Sequence, residues 1–101
     1  MSRSFSDVLL QQIRALPLAR GLASLDYHVA VDRDFVPAKD SRSERWLVSS
    51  RSGSWEVVVT GLKWFDVRAQ VGGGGMIDLV MQLEGLSFVA AVKRLAKAVD
   101  G

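Results

Sequence analysis

The sequence predicts an α+β fold: N-terminal helices, a three-stranded antiparallel ribbon-like sheet and a C-terminal helix pair. Three observations carry that expectation. Apolar residues recur at three- and four-residue intervals near both ends of the chain, the period of a helix. Between them, residues 45–67 are dense in valine and aromatic side chains and are broken by Ser- and Gly-rich turns. The strand segments follow one another as hairpins, with no βαβ alternation that would call for a parallel sheet. A chain of 101 residues holds one small core, so a single domain is expected over 1–101. Within it fall a helical part (1–31), a polar loop (32–44) and a second module (45–101).

Ser4 or Ser6 can cap a first helix bearing Val8, Leu9, Ile13 and Leu16. Pro17 interrupts it and suits the start of a second helix through Leu18, Leu22 and Leu25. Tyr27–Val31 reads as extended, and DRDFVPAKDSRSE (32–44) as a polar loop. Strands are expected at Arg45–Val48, Trp55–Thr60 and Leu62–Val67, joined by SSRSGS and by Gly61. After four glycines, Ile77, Val80, Met81 and Leu83 form one apolar helix that Gly85 ends. Ser87 caps the last helix, with Phe88, Ala91, Val92, Leu95 and Val99 on one side and Lys93, Arg94 and Lys97 mostly on the other.

Charge narrows the function classes a little. Residues 1–41 balance five basic against five acidic side chains, whereas 42–68 carry five against three and 87–101 three against one. Two mildly basic regions could face an anionic partner or simply water. No cysteine is present, which removes disulfides and thiolate metal sites and suits a reducing cytoplasm. Val8-Leu9-Leu10 is too short for a signal peptide, and no stretch reaches the ~18 apolar residues of a membrane span, so a cytoplasmic protein is expected.

Most candidate catalytic groups fail on spacing. The glycine run Gly72–Gly75 lacks the Lys-Ser/Thr of a P-loop, since Met76-Ile77 stands there. Its amides could still meet a phosphate at a helix start, but the simpler role is steric. His28 is the only histidine and cannot assemble a zinc site alone. Asp32, Asp34 and Asp40 lack calcium-loop spacing, and Asp78 and Glu84 make no catalytic pair. No enzyme activity, metal or cofactor is expected. Lys63-Trp64-Phe65 differs, with Arg45, Trp46, Arg51 and Arg68 near it in the meander. Alternation exposes either Trp64 or Lys63 with Phe65, and an aromatic ring among cations is how sheet surfaces hold single strands. The candidate nucleic-acid-binding residues are Arg45, Lys63, Trp64, Phe65 and Arg68, with burial of every large aromatic in the core as the alternative.

The segment GGGGMIDLVMQLEGLSFVAAVKRLA (Gly72–Ala96) resembles the end of the zinc-ribbon domain of bacterial replicative primases and of plasmid and mobile-element primases. In that family a glycine pair leads into an apolar helix, a Glu-Gly-hydrophobic-Ser-Phe turn and an Ala-Val-x-x-Leu-Ala helix. Glu84-Gly85-Leu86-Ser87-Phe88 and Ala91, Val92, Leu95 and Ala96 match the last two features. The likeness covers residues 42–98 more loosely, with Lys63–Asp66 at the family's aromatic-cysteine strand. None of the family's zinc ligands is present at the matching positions. The resemblance therefore implies a degenerate, zinc-free ribbon that helps engage single-stranded DNA in replication or transfer of a mobile element. The family's catalytic centre lies in a separate domain. The other reading is a module that docks onto a primase, helicase or relaxase. Without metal, buried side chains must hold the fold, each large apolar one worth ~1.5–3 kcal/mol before entropy is counted.

Overall fold

The computed structural model describes residues 5–100, with side chains to residue 97. Ser4 and the side chain of Val99 lie outside the described residues. Helix α1 runs Asp7–Ala15, and its N-cap is Ser6, whose Oγ accepts the Leu9 N–H at 3.1 Å. Asp7 in its first turn and Arg14 in its last both suit the helix dipole. The residue before a proline is pushed out of the helical region, and Leu16 is extended, with ψ 125°. Helix α2, Leu18–Ser24, starts directly after Pro17.

Five antiparallel strands follow in the order β1-β2-β3-β4-β5: His28–Val31, Glu44–Ser50, Gly53–Thr60, Lys63–Asp66 and Val71–Gly74. The expectation of three strands is corrected to five, and each added strand has a physical reason. Strand β1 pairs with β2 across the polar loop, so no tight-turn signal joins the two. Strand β5 is made of Val71 and the first three of the glycines. Glycine is a poor strand former, but a Cβ on Gly73 would lie 2.7 Å from the Trp64 ring. Only a residue without a side chain lets β5 close on β4 at that point.

Helices α3 (Gly75–Glu84) and α4 (Phe88–Asp100) join α1 and α2 over one face of the sheet. Gly75 has φ +80°, the left-handed region glycine enters without strain, and this turns the chain from β5 into α3. Gly85, also left-handed at φ +64°, ends α3, and Ser87 Oγ caps α4 by accepting the Ala90 N–H at 3.2 Å. The covered face contributes Trp46, Val48, Val57, Val59 and Trp64 to a core shared with Ile13, Leu22, Met76, Leu79, Val92 and Leu95. The N-terminal helices and the later module thus share one core. Asp66, 3% exposed, is the buried carboxylate of that layer. It accepts the Ala69 N–H at 3.2 Å and the Gln82 amide at 3.3 Å, which fixes the β4–β5 turn against α3. Among the described residues no single helix is long and apolar enough to cross a membrane.

Candidate nucleic-acid interface

With the described helices on one face, the other face of the sheet is left open. Alternation decides what it carries. One cross-strand row runs Arg45–Val58–Phe65–Gly72 and the next runs Thr60–Lys63–Gly74. Phe65 is 38% exposed, and Leu47, which follows Arg45 on the same side of β2, is also exposed. Gly72 leaves the flank of the Phe65 ring clear: a Cβ there would sit 3.3 Å from Cδ1. An accessible ring therefore stands beside Lys63, which has no ion pair among the described residues.

The two arginines behave differently. Arg45 is held between carboxylates, 2.9 Å from Glu56 Oε2 and 2.6 Å from Asp32 Oδ2. Hydrogen bonds to Glu56 and then Asp32 raise its guanidinium above the ordinary range. The Asp34 amide and then Arg45 hold the Asp32 carboxyl below its usual value. Arg68 reaches Glu56 only at 3.9 Å, donates to the Ser54 carbonyl at 3.4 Å, and is 62% exposed. The open face thus bears Lys63, which has no ion pair among the described residues, Arg68, loosely paired with Glu56, and Arg45, held by two carboxylates.

Of the five candidate residues, the structure brings Arg45, Lys63, Phe65 and Arg68 to this face and places Trp64 elsewhere. Trp64 is 4% exposed, and its indole N–H donates to the Gly75 carbonyl at 3.3 Å. The reason is the alternation that exposes Phe65, together with the space Gly73 leaves for the larger ring. Trp64 is corrected from a candidate stacking residue to a core residue. Trp46 is buried as well, and Arg51 sits in the β2–β3 turn beside an open hollow of about 590 Å³ on the helical side.

The glycine corner is not a phosphate cradle. Gly74 N–H donates to Asp78 Oδ2 at 3.4 Å and Gly75 N–H to the Leu62 carbonyl at 2.8 Å. The start of α3 already faces the chain's own carboxylate, which repels a second anion at those amides. His28 is exposed on β1, and among the described residues no three His, Asp or Glu side chains stand together as metal ligands.

One polar cluster has no signature in the sequence. Tyr27 O–H donates to Glu84 Oε2 at 2.9 Å, and Arg94 Nε donates to Glu84 Oε1 at 2.6 Å. Burial first, then the Glu84 hydrogen bond, push the Tyr27 hydroxyl well above its ordinary value. The cluster ties the entry to β1 to α3 and α4. Its members are too far apart in sequence for any local pattern to join them. No family model, curated protein or solved structure matches the chain.

Proposed function

We propose that the open sheet face is a non-catalytic platform for single-stranded DNA, in a metal-free relative of the primase zinc-ribbon domain acting in replication or transfer of a mobile element. The observation that carries the reading is Phe65, an accessible ring on the helix-free face with Lys63 and Arg68 on the same side. Base stacking needs the bare ring, and phosphates need cations that no carboxylate has claimed. Lys63 and Arg68 meet that condition better than Arg45, whose role is to hold Asp32 and Glu56 in place. The platform is sequence-tolerant, since it presents a ring and charges and no bidentate pair aimed at base edges.

Fluorescence anisotropy with labelled single-stranded and duplex oligonucleotides tests this. Two phosphate contacts give a slope of log affinity against log salt of about −1.4. Phe65→Ala costs about 1–3 kcal/mol of binding and leaves that slope alone, because stacking releases no ions. Absence of binding to either nucleic acid at tens of micromolar protein and ~100 mM salt overturns the platform.

The second reading, a module docking onto a primase, helicase or relaxase, draws on exposed Leu47 beside the self-neutralised Arg45, Asp32 and Glu56. Apolar surface with a closed ion-pair network suits a protein partner. It requires Leu47→Asp to abolish capture of such a partner while leaving DNA binding absent or unchanged.

A further inference from the structure

At the end of the sheet where β4 begins and β5 stops, a notch of about 380 Å³ opens between the sheet and the helices. Its apolar lining is buried Ile77 as the floor with the exposed side chains of Leu62 and Phe88 beside it, and Arg14 from α1 and Lys63 from β4 line it as well. The volume falls within the range of small-molecule sites. Neither Arg14 nor Lys63 is ion-paired among the described residues. Asp78 also lines the notch, with Oδ2 turned to the Gly74 amide. The lining therefore sums to one net positive charge from two cations and one carboxylate.

Gly74 supplies a second, independent observation. Three of the four glycines have a local reason to be glycine: Gly72 lies against Phe65, Gly73 against Trp64, and Gly75 has a positive φ. Gly74 has none. Its backbone is ordinary extended chain (φ −141°, ψ 139°), and a Cβ would meet nothing within 4 Å. Gly74 also lines the notch, on the side it shares with Lys63. Lys63 is Gly74's cross-strand partner and belongs both to this lining and to the face bearing Phe65.

We infer that the notch is a second subsite for the same single strand, taking one nucleobase on its apolar floor while Arg14 and Lys63 take the flanking phosphates. This rests on the platform reading: the strand stacks a base on Phe65, passes Lys63 and turns over the sheet end toward α1. The occupant is a nucleotide rather than an apolar peptide because both unpaired lining groups are cations set beside an apolar floor, the two needs of a base and its phosphates.

The test compares Gly74→Val, Arg14→Ala and Phe65→Ala with the parent protein, using labelled single-stranded oligonucleotides of graded length. Arg33→Ala, at the opposite edge of the sheet, controls for the loss of one charge. Gly74→Val suits the extended backbone and adds bulk at the edge of the notch beside Lys63. It is expected to keep the melting temperature and to weaken binding about fivefold or more, the lower bound for one lost base contact. Arg14→Ala is expected to flatten the salt slope by about 0.7, and Arg33→Ala to leave it unchanged. Should Gly74→Val unfold, Gly74→Ala and Arg14→Ala still report. Weakening by Phe65→Ala with no effect of Gly74→Val and Arg14→Ala overturns the notch and leaves the platform standing. The reverse pattern overturns the platform and keeps the notch. A parent protein that binds no single strand overturns both.

Discussion

Trp64 and Phe65 are neighbours in sequence and opposites in fate, and the difference belongs to the two faces of the sheet. On the covered face Trp64 has its N–H bonded to Gly75 and its ring seated over Gly73. On the open face Phe65 has water on one side and the bare backbone of Gly72 beside it. The same strand thus carries one aromatic whose surroundings are complete and one whose surroundings are not. A buried ring with a satisfied donor stabilises the fold. An exposed ring contributes little to folding and remains available to a ligand.

Substitution of each ring in turn is the strongest way to break this comparison. Trp64→Ala leaves a large cavity between β4 and α3 and is expected to cost about 3–5 kcal/mol of stability. Phe65→Ala removes a ring that is already partly in water and is expected to cost well under half of that. Denaturant titration of both variants measures the contrast. Equal losses would mean that Phe65 is as much a core residue as Trp64, and the platform would lose its ring.

The adjacent glycines repeat the contrast one strand over. Gly73 points to the covered face, where a methyl group would press on the Trp64 ring, and Gly73→Ala is expected to cost about 1–3 kcal/mol. Gly74 points to the open side, where the same methyl group meets nothing, and Gly74→Ala is expected to be neutral or slightly stabilising through the unfolded chain. Thermal melts decide between them. If Gly74→Ala is as damaging as Gly73→Ala, the corner is crowded and the notch beside it is not available to a ligand.

What the sequence made legible was local. Ser6, Ser87 and Gly85 sit where caps and stops are needed, because capping is settled within four residues. Period-two alternation reduced the aromatic pair to two options without choosing between them. The choice needed Gly73 and the Gly75 carbonyl, which only the fold brings to Trp64. Strand β5 is not legible in the sequence because propensity argues against three successive glycines in a ladder, and tertiary packing overrides it. Strand β1 was visible as extended chain, but its partner lies beyond the polar loop. The Asp32–Arg45–Glu56 bridge and the Tyr27–Glu84–Arg94 cluster join elements distant in the chain, so composition counted their charges without showing which were spent.

The smallest expected effect concerns those spent charges. Glu56 holds Arg45 at 2.9 Å and stands 3.9 Å from Arg68, so one carboxylate restrains two cations on the open face. Glu56→Gln removes that restraint. Partly exposed ion pairs contribute little, so stability should fall by no more than about 1 kcal/mol. Arg45, still paired with Asp32 but no longer with Glu56, should be partly released toward a single strand, with the salt slope steepened by at most about 0.7 for the one further phosphate it neutralises. Removing any carboxylate raises general attraction to DNA, and Asp26→Asn supplies that control. Asp26 lies on the helical side beside Tyr27, and its left-handed backbone (φ +67°) tolerates asparagine. A steeper slope in Glu56→Gln but not in Asp26→Asn locates the effect on the open face. Equal slopes in the two variants would mean that net charge alone governs binding, and that the pairing of Arg45 has no bearing on the ligand.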